Sequence, residues 1–279
     1  MAANNDFRPK CLFDYVSYGF AADLCEKTAA GCGPDELVSF PETVNCFFEK
    51  FNLTDVILFR KAGASDSKSG SDFGSVLDAL FNNHGAIRYY QGVEIEAENE
   101  KTLFSLIQKE RKKADFLTVR SADEKVIRAA ADSVDVDAVI PISNASQRQS
   151  AGKINHIVAK IAADKKTAFG FDIVPFLSGK GYRRSKLFAE ISEMIPILRK
   201  YNVPILLFSG ASVVYEMRGS YELEAFGRLL GLTQEEASKA VQDAFDLIQI
   251  RQKQMSGIQV MPGVEIQDSG LTESDNGNH

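Results

Sequence analysis

No apolar run in the sequence approaches the roughly 18 residues that a membrane span needs. The opening MAANNDFRPK has no signal-peptide core. Cysteine is scarce: Cys11, Cys25, Cys32 and Cys46 all fall in the first 46 residues, none in C-x-x-C spacing. That excludes a disulfide framework for a chain of 279 residues and favours reduced thiols over a zinc site. Histidine is scarcer still, at His84, His156 and His279, so a multi-histidine metal centre cannot be assembled. Basic excess is also missing. Lys+Arg 32 against Asp+Glu 38 leave a net −6 and a pI of 5.3, which does not advertise a nucleic-acid binder. What remains, 44% hydrophobic and 25% charged, is the composition of a globular protein. A soluble, cytoplasmic chain with no membrane partner is the expectation.

Short β-branched and aromatic runs alternate with longer stretches of helical period. Strands are expected at 12–18, 55–60, 87–95, 115–120, 137–142, 168–174 and 203–209. Helices are expected at 41–52, 72–83, 98–113, 122–134, 151–163, 185–200, 220–230 and 234–254. Ser121-Ala-Asp-Glu124 and Thr233-Gln-Glu-Glu236 have capping-box spacing, and Gly231 fits a helix C-terminus. Seven strands each followed by a helix imply parallel pairing. No glycine-rich phosphate fingerprint follows the first strand, which disfavours a dinucleotide fold. The expected class is α/β, a (β/α) TIM-type barrel. It would be a single domain over 1–266, with an insertion near 19–40, a surface loop at 62–72 and a disordered tail at 267–279.

The charge is unevenly placed. Between Arg148 and Lys200 stand eleven basic and four acidic residues, a net +7, leaving −13 for the rest of the chain. Such polarity suits a polyanion on one face. In the helix at 151–163, Ile154, Ile157, Val158 and Ile161 would form the buried stripe, with Lys153, His156 and Lys160 together on another face and Lys165 beyond. An ordinary surface histidine is the competing reading of His156. In Lys180-Gly-Tyr-Arg183-Arg184-Ser-Lys186, a helix capped by Ser185 would place cations at the positive end of its dipole, an arrangement an external anion would relieve. Ser209-Gly210-Ala211 after the seventh strand could expose amides to phosphate, though it is also common turn chemistry.

Several segments occur together in a specific order: Asp137-Ala-Val-Ile-Pro141, Gly152-Lys-Ile-Asn-His156-Ile-Val-Ala-Lys160, Ala168-Phe-Gly-Phe171, Val203-Pro-Ile-Leu-Leu-Phe-Ser209-Gly-Ala211, Arg218-x-x-x-Glu222-Leu223 and Leu229-Leu-Gly-Leu232. From about Leu12 to Lys253 this series resembles the archaeal ribonuclease P protein component 3 family, to which the eukaryotic p-thirty subunits of RNase P and RNase MRP belong. The resemblance implies a barrel related to the polymerase-and-histidinol-phosphatase (PHP) metal hydrolases, without their metal centre. Where such a hydrolase has His-x-His at the end of strand one, this chain reads Phe13-Asp14-Tyr15-Val16-Ser17.

The resemblance further implies a non-catalytic subunit of the ribonucleoprotein that removes 5′ leaders from precursor tRNA. Mg²⁺ would sit on the RNA, with no cofactor on the protein. The implied partners are the RNase P RNA and protein component 2, in a two-plus-two heterotetramer, with precursor tRNA contacted indirectly. Arg128, His156, Lys160, Lys165, Lys200 and Arg218 match the family's basic positions, and Arg148 matches approximately. Together with Lys153, Arg183, Arg184 and Ser209 they are the expected RNA-binding set. Two departures stand out. Arg218-Gly-Ser220-Tyr-Glu222-Leu replaces Arg-x-Pro-x-Asp-Leu, implying a looser turn, and Val174-Pro175 replaces Arg-Pro, losing a cation.

Two other readings use the same barrel. A metal-dependent phosphoesterase would draw on Asp14, Glu94, His156 and Asp172. An enzyme acting on a small phosphorylated substrate would use Ser209–Ala211 with Glu94, Glu96 and Asp172.

Overall fold

The computed structural model describes residues 13–17, 48–49, 51, 53–62, 87–142, 154–255, 259–261 and 264–265. The expected insertion at 19–40, the loop beyond residue 62, the helix at 72–83 and the tail at 267–279 lie outside these residues. Seven strands, β1 (Phe13–Ser17), β2 (Asp55–Lys61), β3 (Arg88–Glu96), β4 (Phe116–Ser121), β5 (Ala138–Pro141), β6 (Ala168–Asp172) and β7 (Ile205–Phe208), match the seven expected from the sequence. They pair in chain order and every neighbour is parallel. The sheet curls until β1 approaches β7, although no ladder joins them among the described residues.

Alternation along each strand feeds two apolar layers. Val93, Ile95, Leu117, Val119, Val139, Phe169, Phe171 and Leu207 face the surrounding helices. Ile57, Phe59, Tyr90, Phe116, Ala138, Ile140, Ala168, Leu206 and Phe208 fill the interior. The interior is tight: a Cβ on Gly170 would stand 2.8 Å from the Phe208 ring. Its polar member Asp55, fully buried, accepts from Arg88 Nε at 2.8 Å, Tyr90 Oη at 3.1 Å and Thr54 Oγ1 at 2.7 Å, so its charge is compensated.

The helices are α1 (Glu100–Glu110), α2 (Glu124–Asp132), α3 (His156–Lys165), α4 (Val174–Ser178), α5 (Tyr182–Lys200), α6 (Ser220–Leu229), α7 (Gln234–Ala240) and α8 (Asp243–Met255). The single helix expected at 234–254 is two, broken at Val241-Gln242. This turn lets Ala244 and Ile248 of α8 enter the interior layer. The short α4 and the hairpin β8 (Gln259–Met261) and β9 (Val264–Glu265) were not legible in the periodicity.

Caps correct two expectations. Ser121 ends β4 rather than capping α2. The cap is Asp123, whose Oδ1 accepts from the amides of Lys125 and Val126, while Ser121 Oγ accepts from Asp123 N. Likewise α5 starts at Tyr182 behind Gly181, four residues before the start implied by a Ser185 cap. The Thr233–Glu236 box is as expected, and Gly231 takes φ +103 at the end of α6. Arg199 clamps that box, donating from Nε to Glu236 Oε1 at 2.6 Å and from Nη2 to Oε2 at 2.7 Å and to Gly231 O at 2.8 Å. These bonds hold the Glu236 carboxyl down at about 2.

Phe208→Ala is expected to cost about 3–5 kcal/mol in urea unfolding, because the ring's neighbours cannot collapse into the space. At the start of α8, burial pushes the Asp243 carboxyl up to about 6 against the opposing pull of Lys239. A raised carboxyl penalises the folded state above pH 6, and the penalty disappears as pH falls through 6 towards the unfolded value. Asp243→Asn should therefore stabilise by about 1 kcal/mol at pH 8 and change nothing at pH 3.

Candidate functional site

In a barrel the C-terminal strand ends carry the chemistry. Here Arg120, near the end of β4, spans the interior. Its Nε donates to Glu94 Oε2 of β3 at 2.8 Å, and its Nη1 donates to Asp172 Oδ2 of β6 at 3.0 Å. Glu94 is buried at 2% exposure, and Arg120 and Asp172 are partly buried at 12% and 13%. Burial raises the Glu94 carboxyl, and the Arg120 charge and hydrogen bond oppose the rise.

A hydrolase-type metal does not fit these residues. The two carboxylates already share a guanidinium, so an incoming divalent cation would meet a fixed positive charge. Glu96 is turned to Lys61 Nζ at 2.7 Å. His156 stands on α3 against Tyr201 at the end of α5, outside this cluster. Asp14 pairs with Val56 in the β1–β2 register. Among the described residues no three His, Cys, Asp or Glu side chains converge as metal ligands.

Ser209 is corrected as a phosphate contact. It is fully buried, and its Oγ accepts from Ala211 N at 3.2 Å, closing the turn on itself. Gly210 is required there, with φ +65 and only 2.7 Å between an added Cβ and Asp172 Cβ. The small-substrate reading thus loses its anion loop.

The cations lie outside the barrel. Asn155 caps α3, accepting from Ile157 N and Val158 N at 3.0 Å each, and its Nδ2 donates to Glu124 Oε1 at 2.9 Å, pinning α3 to α2. The buried face of α3 is Val158, Ala159 and Ala162, with Ile154 just before it. Ile157, expected inside, is 59% exposed because the helix begins at the Asn155 cap. That leaves His156, Ile157 and Lys160 outward. The His156 ring lies 5.8 Å from the Tyr201 ring, and Lys200 Nζ sits 5.6 Å over the same ring, so one tyrosine gathers two expected RNA contacts. Lys165 is half spent on Asp132 at 3.7 Å.

Arg183 and Arg184 fall in the exposed first turn of α5. Arg184 folds back, donating from Nε to Gly179 O at 2.8 Å, so part of its charge serves the end of α4. Arg218 Nη1 donates to Tyr215 O at 2.9 Å and Met217 O at 2.6 Å, which ties the side chain to the turn before it. Arg128 shares a groove between α1 and α2 with Phe104, Asp123 and Asp132. Arg148 and Lys153 lie outside the described residues.

Sequence reasoning missed the tyrosines. Tyr182, Tyr215 and Tyr221 are 80%, 77% and 81% exposed, all in segments that follow β6 and β7. Tyr182 sits inside the Lys180–Lys186 cation run, which was the available signal.

Fold and site together define a parallel α/β barrel whose strand-end carboxylates are occupied by an arginine and whose exposed cations stand on outer helices. A family model described as RNase P subunit p30 matches residues 49–256, and the chain belongs to that family. Relatives named ribonuclease P protein component 3 include one from Methanosarcina mazei, 33% identical over 54% of this chain and 62% of that protein. Another, from Methanosarcina barkeri, is 32% identical over 65% of this chain and 74% of that protein. A chain in the cryo-EM structure of archaeal ribonuclease P with mature tRNA has the same fold, with TM-score 0.70 and 19% identity, covering 92% of this chain and 99% of that one. A Xaa-Pro dipeptidase shares it more distantly, with TM-score 0.54 and 10% identity, covering 90% of this chain and 80% of that one.

Arg120→Ala would leave two carboxylates facing each other, at an expected cost of about 3–5 kcal/mol. Burial raises the Glu94 carboxyl, and its protonation relieves the repulsion, so the loss should be larger at pH 8 than at pH 5. Urea denaturation at the two pH values reads both effects.

Proposed function

We propose that this chain is a non-catalytic protein subunit of ribonuclease P, supporting the catalytic RNA that removes 5′ leaders from precursor tRNA. The observation that carries the reading is membership of the p30 family across residues 49–256. The arginine between Glu94 and Asp172 supports the non-catalytic part, since it takes the place a hydrolase gives to its metal.

The partners in this reading are the RNase P RNA and protein component 2, in a two-plus-two heterotetramer, with precursor tRNA reached indirectly. The reaction's Mg²⁺ is held by RNA, and the complex works in the cytoplasm of an archaeal cell. No helix among the described residues is long and apolar enough to cross a membrane.

His156, Lys160 and Lys200 are the centre of the RNA grip. The lysines neutralise phosphates and release counterions, while the His156 imidazole donates a hydrogen bond to phosphate or ribose. Contacts of this kind read backbone and shape rather than base sequence. Arg128, Arg183, Lys165 and Arg218 extend the surface, and Arg148 and Lys153, outside the described residues, are assigned to it from the sequence alone.

The test is precursor-tRNA cleavage by the cognate RNA and component 2 at limiting Mg²⁺, with and without this chain. A rate gain that requires the RNA is expected. Cleavage by the protein alone, lost on chelation, would replace this reading with a metal phosphoesterase. In the same assay's binding arm, replacing His156, Lys160 and Lys200 together with alanine should lower the salt slope of RNA binding by about two. An unchanged slope would remove these residues from the interface.

A further inference from the structure

A cavity of about 870 Å³ opens where β5 and β6 end, between α4 and the first turns of α5. Its wall is apolar, with Phe171, Pro175 and Leu187, and its rim carries Lys180, Tyr182 and Arg183. The volume is in the range of small-ligand sites. The rim is uncommitted: Lys180 and Arg183 are exposed and take no ion pair or hydrogen bond among the described residues, and Tyr182 is 80% exposed. At the inner end stands Asp172. Arg120 donates to its Oδ2, its Oδ1 takes no hydrogen bond among the described residues, and the residue is 13% exposed where it lines the cavity.

A flat apolar wall, one partly buried acceptor and two free cations around an exposed phenol match one ligand chemistry. We propose that this cavity receives the base of an unpaired nucleotide of the bound RNA, one that carries an amino group. The base packs on the Phe171–Pro175 wall, and Tyr182 stacks on it or on its neighbour. The amino group donates to Asp172, as a cytosine or guanine amine donates to a carboxylate. Lys180 and Arg183 hold the flanking phosphates. Uracil offers Asp172 only its N3–H, set between two carbonyl oxygens that the carboxylate repels, so it binds more weakly than a base with an amino group. An acidic peptide would meet the same cations but would bring a second carboxylate towards Asp172, which disfavours a protein segment. The inference rests on the RNA-binding reading above and adds base selection to it.

The experiment is fluorescence anisotropy of the full-length chain with labelled single-stranded hexamers, UUXUUU, where X is G, C, A or U. The G, C and A hexamers should bind about tenfold tighter than the all-U hexamer. Tyr182→Ala and Arg183→Ala, both on exposed positions that leave the fold intact, should each weaken the G hexamer about fivefold or more. Asp172→Asn should erase the discrimination against uracil; because Asp172 also binds Arg120, the two rim variants carry the test if that variant fails to fold. Equal binding of all four hexamers, or unchanged binding by both rim variants, would overturn the proposal. So would GMP that binds as tightly as the G hexamer, which would make the ligand a free nucleotide, or component 2 shielding the cavity from the hexamers. Stimulation of the RNase P RNA is measured on the same preparation. If it persists while base selection is absent, the cavity assignment falls and the subunit reading stands.

Discussion

Each strand from β3 to β7 must satisfy two apolar layers at once, and that single constraint organises the molecule. Side chains alternate between the helix-facing shell and an interior so full that Gly170 has no room for a methyl group beside Phe208. Small residues on some strands therefore answer large ones on their neighbours, and α8 adds Ala244 and Ile248 to the same interior. Two carboxylates enter this packing with donors at hand. Asp55 is met by Arg88, Tyr90 and Thr54, and Glu94 is met by Arg120.

The second of these arrangements sets the chemistry of the barrel mouth. At the strand ends a hydrolase concentrates ligands for a metal. This barrel instead joins β3, β4 and β6 through one guanidinium. A fixed organic cation neutralises the carboxylates and ties the strands together, and it offers no open coordination position for substrate. Charge available to a partner is displaced to the outer helices. There His156 and Lys200 converge on Tyr201, and α5 begins with arginines and an exposed tyrosine. Cations stand on the outer helices and, with Lys180 and Arg183, at the rim of the cavity beside Asp172.

Much of this was legible before any coordinates. The seven strands stand within a few residues of their expected limits because fully buried parallel strands read as nearly unbroken apolar runs. Thr233 and Glu236 form the expected box because capping is local. The failures were local as well, and each had a neighbour that sequence spacing does not reveal. Ser121 was taken by the strand, leaving Asp123 to cap α2. Ile157 fell outside because the Asn155 cap set the phase of α3. Ser209 turned inward onto Ala211 N, so a phosphate-like motif became a self-closed turn. The tyrosines at 182, 215 and 221 carried no periodic signal, since exposure of a single aromatic depends on what the fold places around it.

The sequence by itself determined the order of strands and helices, the parallel pairing, the concentration of cations between residues 148 and 200, and the family. These follow from periodicity, short-range hydrogen bonding and composition, which act over a few residues at a time. Only the tertiary structure decided that Arg120 reaches both Glu94 and Asp172, and that His156 and Lys200 share one ring although 44 positions separate them in the chain. It alone placed a cavity against Asp172. The reason is physical: burial and long-range electrostatics depend on which elements become neighbours, and closing the sheet sets that adjacency.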